Sequence, residues 1–235
     1  MYADVSFSPS PALWVAVGVV VLGKPRRLTV SSPTPEYANL NTAAVDGDGT
    51  LWFTGQSGIY GRVDPETERV KVFDAPRGEG PYGITGTPDG AVWLASLAGS
   101  YIGRVRPDGR LAVVDVPTPG GGARRIWSDS LGRLWVTEWF AGKLARYDPA
   151  TRTWQEWRLP GSEPQPYAVY VDDEDVVWVT DFDANSLVQF DAEAERFRLF
   201  RFPTPGAEVR QLLGRTGEVW GAESDTDKLV VLRTR

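Results

Sequence analysis

The chain contains no cysteine and no histidine. Without cysteine there is no disulfide framework, no thiolate nucleophile and no Cys-ligated metal. Without histidine there is no Ser-His-Asp or Cys-His pair, no imidazole ligand, and no side chain that titrates near neutrality unless its environment shifts it. Any chemistry must come from carboxylates, Tyr, Lys, Arg, Ser/Thr, backbone amides or a carboxylate-bound metal. Basic runs are also lacking. The 25 Lys+Arg against 31 Asp+Glu leave a net charge of −6, and no basic block exceeds two residues, which speaks against a nucleic-acid surface.

Long apolar runs are nearly absent as well. Residues 11–23, PALWVAVGVVVLG, form a 13-residue stretch followed by Lys24, Pro25, Arg26 and Arg27. That stretch is too short to span a bilayer and lacks the basic opening of a signal peptide. A short anchor is the alternative to reading it as two buried strands. The compartment stays open, since a chain without cysteine suits either side of a membrane.

What is present is a repeat. Among the 235 residues, tryptophans at 14, 52, 93, 135, 178 and 220 sit in the segments ALWVA, TLWFT, AVWLA, RLWVT, VVWVT and EVWGA, spaced by 38, 41, 42, 43 and 42 residues. Each is flanked by short β-branched or aromatic runs joined by Asp-Gly turns, four runs per period, here labelled strands a to d. A period near 42 with four strands per unit predicts an all-β six-bladed β-propeller, with blades at about 2–35, 36–76, 77–119, 120–160, 161–203 and 204–235. A β-sandwich is the alternative, but it has no need of a Trp on every fourth strand. The last repeat carries only three strands, so either blade six is three-stranded or the chain is part of a larger ring. The periodic tryptophans are expected to fill the space between blades.

The loops leading into strand a and those joining b to c should share one face, around a central channel. Strand a brings Tyr82, Arg124, Arg125, Tyr167 and Arg210 there, with Glu208 beside the last. The tyrosines could stack on or hydrogen-bond a ligand, and the arginines could hold an anionic group. Trp139, off the period and followed by Phe140, is a candidate exposed aromatic contact. Glu138, Asp181 and Glu223 each lie three residues after a blade Trp. They could hold Mg²⁺ or Ca²⁺ as hard oxygen ligands, or each could cap its own turn by accepting backbone amides. The acidic turns at Asp46 and Asp172 fall between strands a and b and are expected to be solvated.

The repeat core, Gly-Pro-Tyr-Gly-Ile-Thr at 80–85, Trp-Val-Thr-Glu at 135–138 and Ile-Gly-Arg-Val at 102–105 together resemble the streptogramin lyase family, whose best-known member is virginiamycin B lyase. The resemblance covers nearly the entire chain. It implies magnesium-assisted β-elimination with histidines and glutamates at the channel mouth, and it makes Tyr82 a substrate-contacting tyrosine. The family's histidines would fall at Asn41 and Tyr2. The expectation is therefore a lyase-like propeller without that base, binding a small molecule or peptide at the channel mouth. The alternative is a metal-dependent carbon-oxygen lyase or a lactonase- or esterase-type hydrolase using the three carboxylates.

Overall fold

The computed structural model describes residues 38–234 except 65 and 68. Among the described residues there are nineteen strands in five antiparallel sheets. Sheet one comprises β1 (Leu40–Val45), β2 (Leu51–Gly55), β3 (Ile59–Val63) and β4 (Val70–Asp74). Sheet two comprises β5 (Pro81–Gly86), β6 (Val92–Ser96), β7 (Tyr101–Val105) and β8 (Leu111–Asp115). Sheet three is β9 (Ala123–Ser128), β10 (Leu134–Glu138), β11 (Lys143–Asp148) and β12 (Thr153–Arg158). Sheet four is β13 (Pro166–Val171), β14 (Val177–Asp181), β15 (Ser186–Asp191) and β16 (Arg196–Arg201). Sheet five has three strands, β17 (Val209–Arg215), β18 (Glu218–Glu223) and β19 (Lys228–Arg233). Strands in each sheet are paired in sequence order, as short Asp-Gly and Pro-Asp-Gly connections require.

The architecture is an all-β propeller. The first strands of successive sheets touch one another, β1 with β5, β5 with β9, β9 with β13 and β13 with β17, so strand a of every blade is innermost. Among the described residues there are five blades, the last three-stranded, against the six expected for the chain. The expected first blade, residues 2–35, lies outside the described residues, as do Trp14 and the apolar run at 11–23. Among the described residues no helix is long and apolar enough to cross a membrane.

The periodic tryptophans pack as the repeat demands. Trp52, Trp93, Trp135 and Trp178 are buried and Trp220 is half-buried. The main apolar clusters join adjacent blades; one runs from Trp93 and Ile102 to Leu134 and Tyr147, the next from Trp135 and Leu144 to Val169 and Phe190.

A buried indole N–H needs an acceptor, and the a–b turn supplies it. Nε1 of Trp52, Trp135 and Trp178 donates to Asp46, Asp129 and Asp172 at 2.8, 3.1 and 2.8 Å. Asp46 and Asp172 are thus fastened to the core rather than merely solvated, while their other carboxylate oxygens accept amides of their own turns.

Candidate functional site: an arginine–tyrosine cluster on strand bulges

Every innermost strand among the described residues carries the same irregularity. Register slips between Leu40 and Ala43, Pro81 and Ile84, Ala123 and Ile126, Pro166 and Val169, and Val209 and Leu212. At each slip two residues of strand a face one residue of strand b, which is a β-bulge. The bulged pairs are Asn41-Thr42, Tyr82-Gly83, Arg124-Arg125, Tyr167-Ala168 and Arg210-Gln211. All five ligand candidates expected on strand a are therefore bulge residues, released from the regular alternation of the ladder.

Three bulges are stapled by the strand b residue opposite. Thr54, Thr137 and Thr180 accept the amides of Thr42, Arg125 and Ala168 at 3.3, 3.1 and 2.9 Å. The same hydroxyls donate to carbonyls of the next blade, those of Tyr82, Tyr167 and Val209, at 2.6, 2.8 and 2.9 Å. The threonines are fully buried, so each of these bonds is made away from competing water. At Gly83, an added Cβ would lie 2.8 Å from Arg125 Cα and 2.9 Å from Arg124 O, so glycine lets the neighbouring bulge approach.

The bulges bring Tyr82, Arg124, Arg125 and Tyr167 together. The Tyr82 and Tyr167 hydroxyls are hydrogen-bonded to each other across two blades. Arg124 Nη2 donates to the Tyr82 hydroxyl at 3.3 Å. Its guanidinium carbon lies 3.7, 4.3 and 4.9 Å from the ring centroids of Tyr167, Trp139 and Tyr82, within cation–π range of all three. Arg125 stands 4.9 Å from the Tyr82 ring and donates to Asn41 Oδ1 at 3.1 Å and to Thr42 Oγ1.

Trp139 belongs to this cluster. It is half-buried, edge-on to Tyr167 and to Phe182 at 5.6 Å each, so the exposed aromatic of its loop is Phe140. Phe182, stacked on Tyr167 at 4.6 Å, is a member that sequence reasoning missed. Its signal is its position, four residues after Trp178, equivalent to Trp139 after Trp135.

Neither Arg124 nor Arg125 has a carboxylate partner among the described residues, and both Nε atoms are buried without a hydrogen bond. Burial pushes the Arg125 guanidinium down from its ordinary range. Burial would push both tyrosines up. For Tyr82 this is overcome by the Tyr167 hydrogen bond and by the positive charge of Arg124 and Arg125, which hold its hydroxyl below the usual tyrosine range. For Tyr167, burial and the Tyr82 hydroxyl raise it. Arg210 is different. It is half-exposed and ion-paired with Glu208 at 2.6 Å, so its charge is answered locally.

The three carboxylates expected at the rim do not come together. Asp181 Oδ1 accepts the amides of Gln165 and Asp183 at 2.9 and 3.1 Å, and Glu223 accepts the Thr226 hydroxyl at 2.6 Å. Glu138 is fully buried, with both carboxyl oxygens lacking a hydrogen bond of normal geometry. Burial, with the carboxyl of Glu156 beside it, pushes Glu138 up to about 8. Glu156 already accepts Thr118 Oγ1 at 2.7 Å and Lys143 Nζ at 3.0 Å. An ammonium and a proton thus serve this acid pair. Among the described residues no group of three or more acidic side chains could hold a metal ion, so Glu138, Asp181 and Glu223 do not form the single three-carboxylate site expected from the sequence.

The sequence model of the virginiamycin B lyase family matches residues 7–232. A virginiamycin B lyase of Nocardia farcinica is 33% identical over 134 residues, covering 56% of this chain and 46% of that relative. One of Bordetella pertussis is 38% identical over 56 residues, 23% of this chain and 19% of the relative. The chain thus aligns with less than half the length of either. The virginiamycin B lyase of Staphylococcus aureus superposes with a TM-score of 0.78 at 23% identity, covering 89% of this chain and 74% of the other. A catalytically inactive histidine-to-alanine variant of that enzyme, solved with quinupristin, gives 0.76 at 22% identity, with 87% and 73% coverage. At these identities the structures show a shared fold.

Proposed function

The chain belongs to the virginiamycin B lyase family, and from that premise we propose that it binds an anionic small molecule or peptide end at the channel mouth, by a route that does not use the family's histidine chemistry. The observation that carries this reading is the Arg124-Arg125 pair. Both guanidiniums stand 4.9 Å from the Tyr82 ring centroid in a chain of net charge −6, with no carboxylate against either among the described residues. Half-buried cations without counter-charge are costly, and an anion that accepts their N–H groups relieves that cost.

The neighbouring aromatics add a second requirement. Tyr167 and Trp139 lie against the Arg124 guanidinium, and Phe182 packs on both rings, so an aromatic carboxylate suits the cluster better than a bare ion. Streptogramin opening through a histidine base is not expected, because this chain has no histidine to supply it.

Thermal melts with benzoate, phosphate and quinupristin test the reading. Benzoate at about ten to a hundred times its Kd should add roughly 1.4–2.7 kcal/mol of stability, and Arg124→Met with Arg125→Met should abolish the gain. Absence of stabilisation by benzoate and by phosphate would remove the anion-binding reading. Opening of quinupristin by the purified chain would overturn the exclusion of streptogramin chemistry.

A further inference from the structure

The Tyr82 hydroxyl occupies an unusual setting for a phenol. On β5 it points to the meeting place of three other innermost strands, and the groups that face it are arginines and one hydroxyl able to donate. Tyr167 on β13 shares a hydrogen bond with it. Arg124 on β9 donates to its oxygen at 3.3 Å, and Arg125 lies 4.9 Å from its ring. Arg210 on β17 adds a weaker positive influence, reduced by its own pairing with Glu208. No carboxylate among the described residues is hydrogen-bonded to Tyr82. Three cations and one hydroxyl able to donate favour negative charge on the phenol oxygen, the condition under which a tyrosine serves as a base.

We propose that Tyr82 is the proton acceptor of this site: its phenolate oxygen, hydrogen-bonded by Tyr167 and faced by Arg124 and Arg125, takes a proton from a bound acid whose conjugate base is an oxyanion. The acid class is an enolisable carbonyl compound or an acidic hydroxyl. In the step, the ligand's C–H or O–H bond breaks and its electron pair stays on the ligand as enolate or oxyanion. A new O–H bond forms on Tyr82, nothing is oxidised or reduced, and the guanidiniums turn from the quenched phenolate to the new anion. This rests on the channel mouth being the ligand site, and it assigns to Tyr82 a task that no histidine in the chain can perform. The lowered pKa of the Tyr82 hydroxyl agrees with that task.

The first measurement is an ultraviolet titration of tyrosinate absorbance on the whole chain and on Tyr82→Phe. One of the eight tyrosines should ionise ahead of the rest, and that early step should vanish in Tyr82→Phe. Early steps that are the same in both proteins, or no early step at all, would overturn the proposal.

The second measurement is modification by neutral benzenesulfonyl fluoride, in which the phenolate oxygen bonds to sulfur as the S–F bond breaks and fluoride leaves. Peptide mass analysis should place the label on Tyr82. At a fixed pH, Arg124→Met should slow labelling on the order of tenfold, because a one-unit rise in the phenol pKa cuts the phenolate fraction tenfold. Arg124→Lys should restore much of the rate, and circular dichroism melts should show both variants folded. Label spread evenly over tyrosines, or an early-ionising Tyr82 that stays unlabelled, would overturn the acceptor role, since a phenolate closed to reagents is closed to ligands. Competition with benzoate separates the two readings. Labelling of Tyr82 that benzoate leaves unchanged removes the anion-binding reading alone, whereas benzoate stabilisation beside an ordinary Tyr82 removes this one alone.

Discussion

The hydroxyl of Thr137 donates to the backbone carbonyl of Tyr167 at 2.8 Å while accepting the amide of Arg125 at 3.1 Å. One buried side chain thereby fixes the bulge that carries an arginine and the neighbouring strand that carries a tyrosine. Thr137→Val keeps the shape and removes both bonds, leaving an amide and a carbonyl unsatisfied in the interior. The loss should be about 1–2 kcal/mol in urea unfolding. It should also loosen the contact between Arg124 and the Tyr167 ring, detectable as weaker quenching of Trp139 fluorescence by the cluster. Unchanged stability would mean that water or a backbone shift satisfies both groups.

Asp129 gathers four donors: the amides of Leu131 and Arg133, Arg133 Nε and the indole of Trp135, at 3.1, 2.9, 2.7 and 3.1 Å. It is 3% exposed. Asp129→Ala strands these donors together and should cost about 3 kcal/mol or more by chemical denaturation, whereas Asp89→Ala, in an exposed turn that makes no bond to Trp93, should cost well under about 1 kcal/mol. Equal effects would show that the Asp–Trp bond is not what fastens the turn.

Glu138 gives the fold a pH dependence of defined sign. Its folded pKa is about 8 against an ordinary 4.5, so the folded state retains a proton that the unfolded chain has released. Stability from this group is full below about pH 4.5, declines as pH rises, and is lost above about pH 8. Glu138→Gln cannot ionise and should escape the decline. Its advantage over the wild type should grow between about pH 5 and pH 9 by on the order of 3–5 kcal/mol. Parallel pH–stability curves for the two proteins would show that Glu138 does not hold its proton.

The Ile/Tyr-Gly-Arg-Val segments of strands β3 and β7 look alike, yet their glycines meet different neighbours. A Cβ at Gly61 would fall 2.4 Å from the Phe53 ring and 2.7 Å from the backbone oxygen of Lys71. At Gly103 the nearest atom is a Leu111 methyl at 3.1 Å, the end of a flexible side chain. Gly61→Ala should therefore destabilise by about 2–3 kcal/mol and Gly103→Ala by less than about 1 kcal/mol. Melting both variants side by side checks the ranking.

The strands of the described blades were legible because β-branched runs and Asp-Gly turns are local signals, and the 42-residue period repeats them. The bulges were less visible. Their sequence mark is two adjacent polar or aromatic residues where alternation should continue, as at Arg124-Arg125, but only the register shows that Thr137 opposes both. Repeat equivalence also misled: Glu138, Asp181 and Glu223 hold the same place in three blades, on strand b, one strand removed from the axis. Identical places in successive blades need not converge on one point. The Asp46–Trp52 and Asp172–Trp178 bonds were readable in retrospect, since each aspartate precedes its Trp by six residues and a buried indole requires an acceptor.

The paired residues at each strand a bulge make no register partners in the ladder that builds the blade. Side chains there, Gly83 apart, can be exchanged while the sheet beneath keeps its register, so the channel's vocabulary is written separately from the scaffold's grammar. A family built this way can shed one chemistry and acquire another by rewriting a few adjacent letters, without having to re-solve the folding problem at each step.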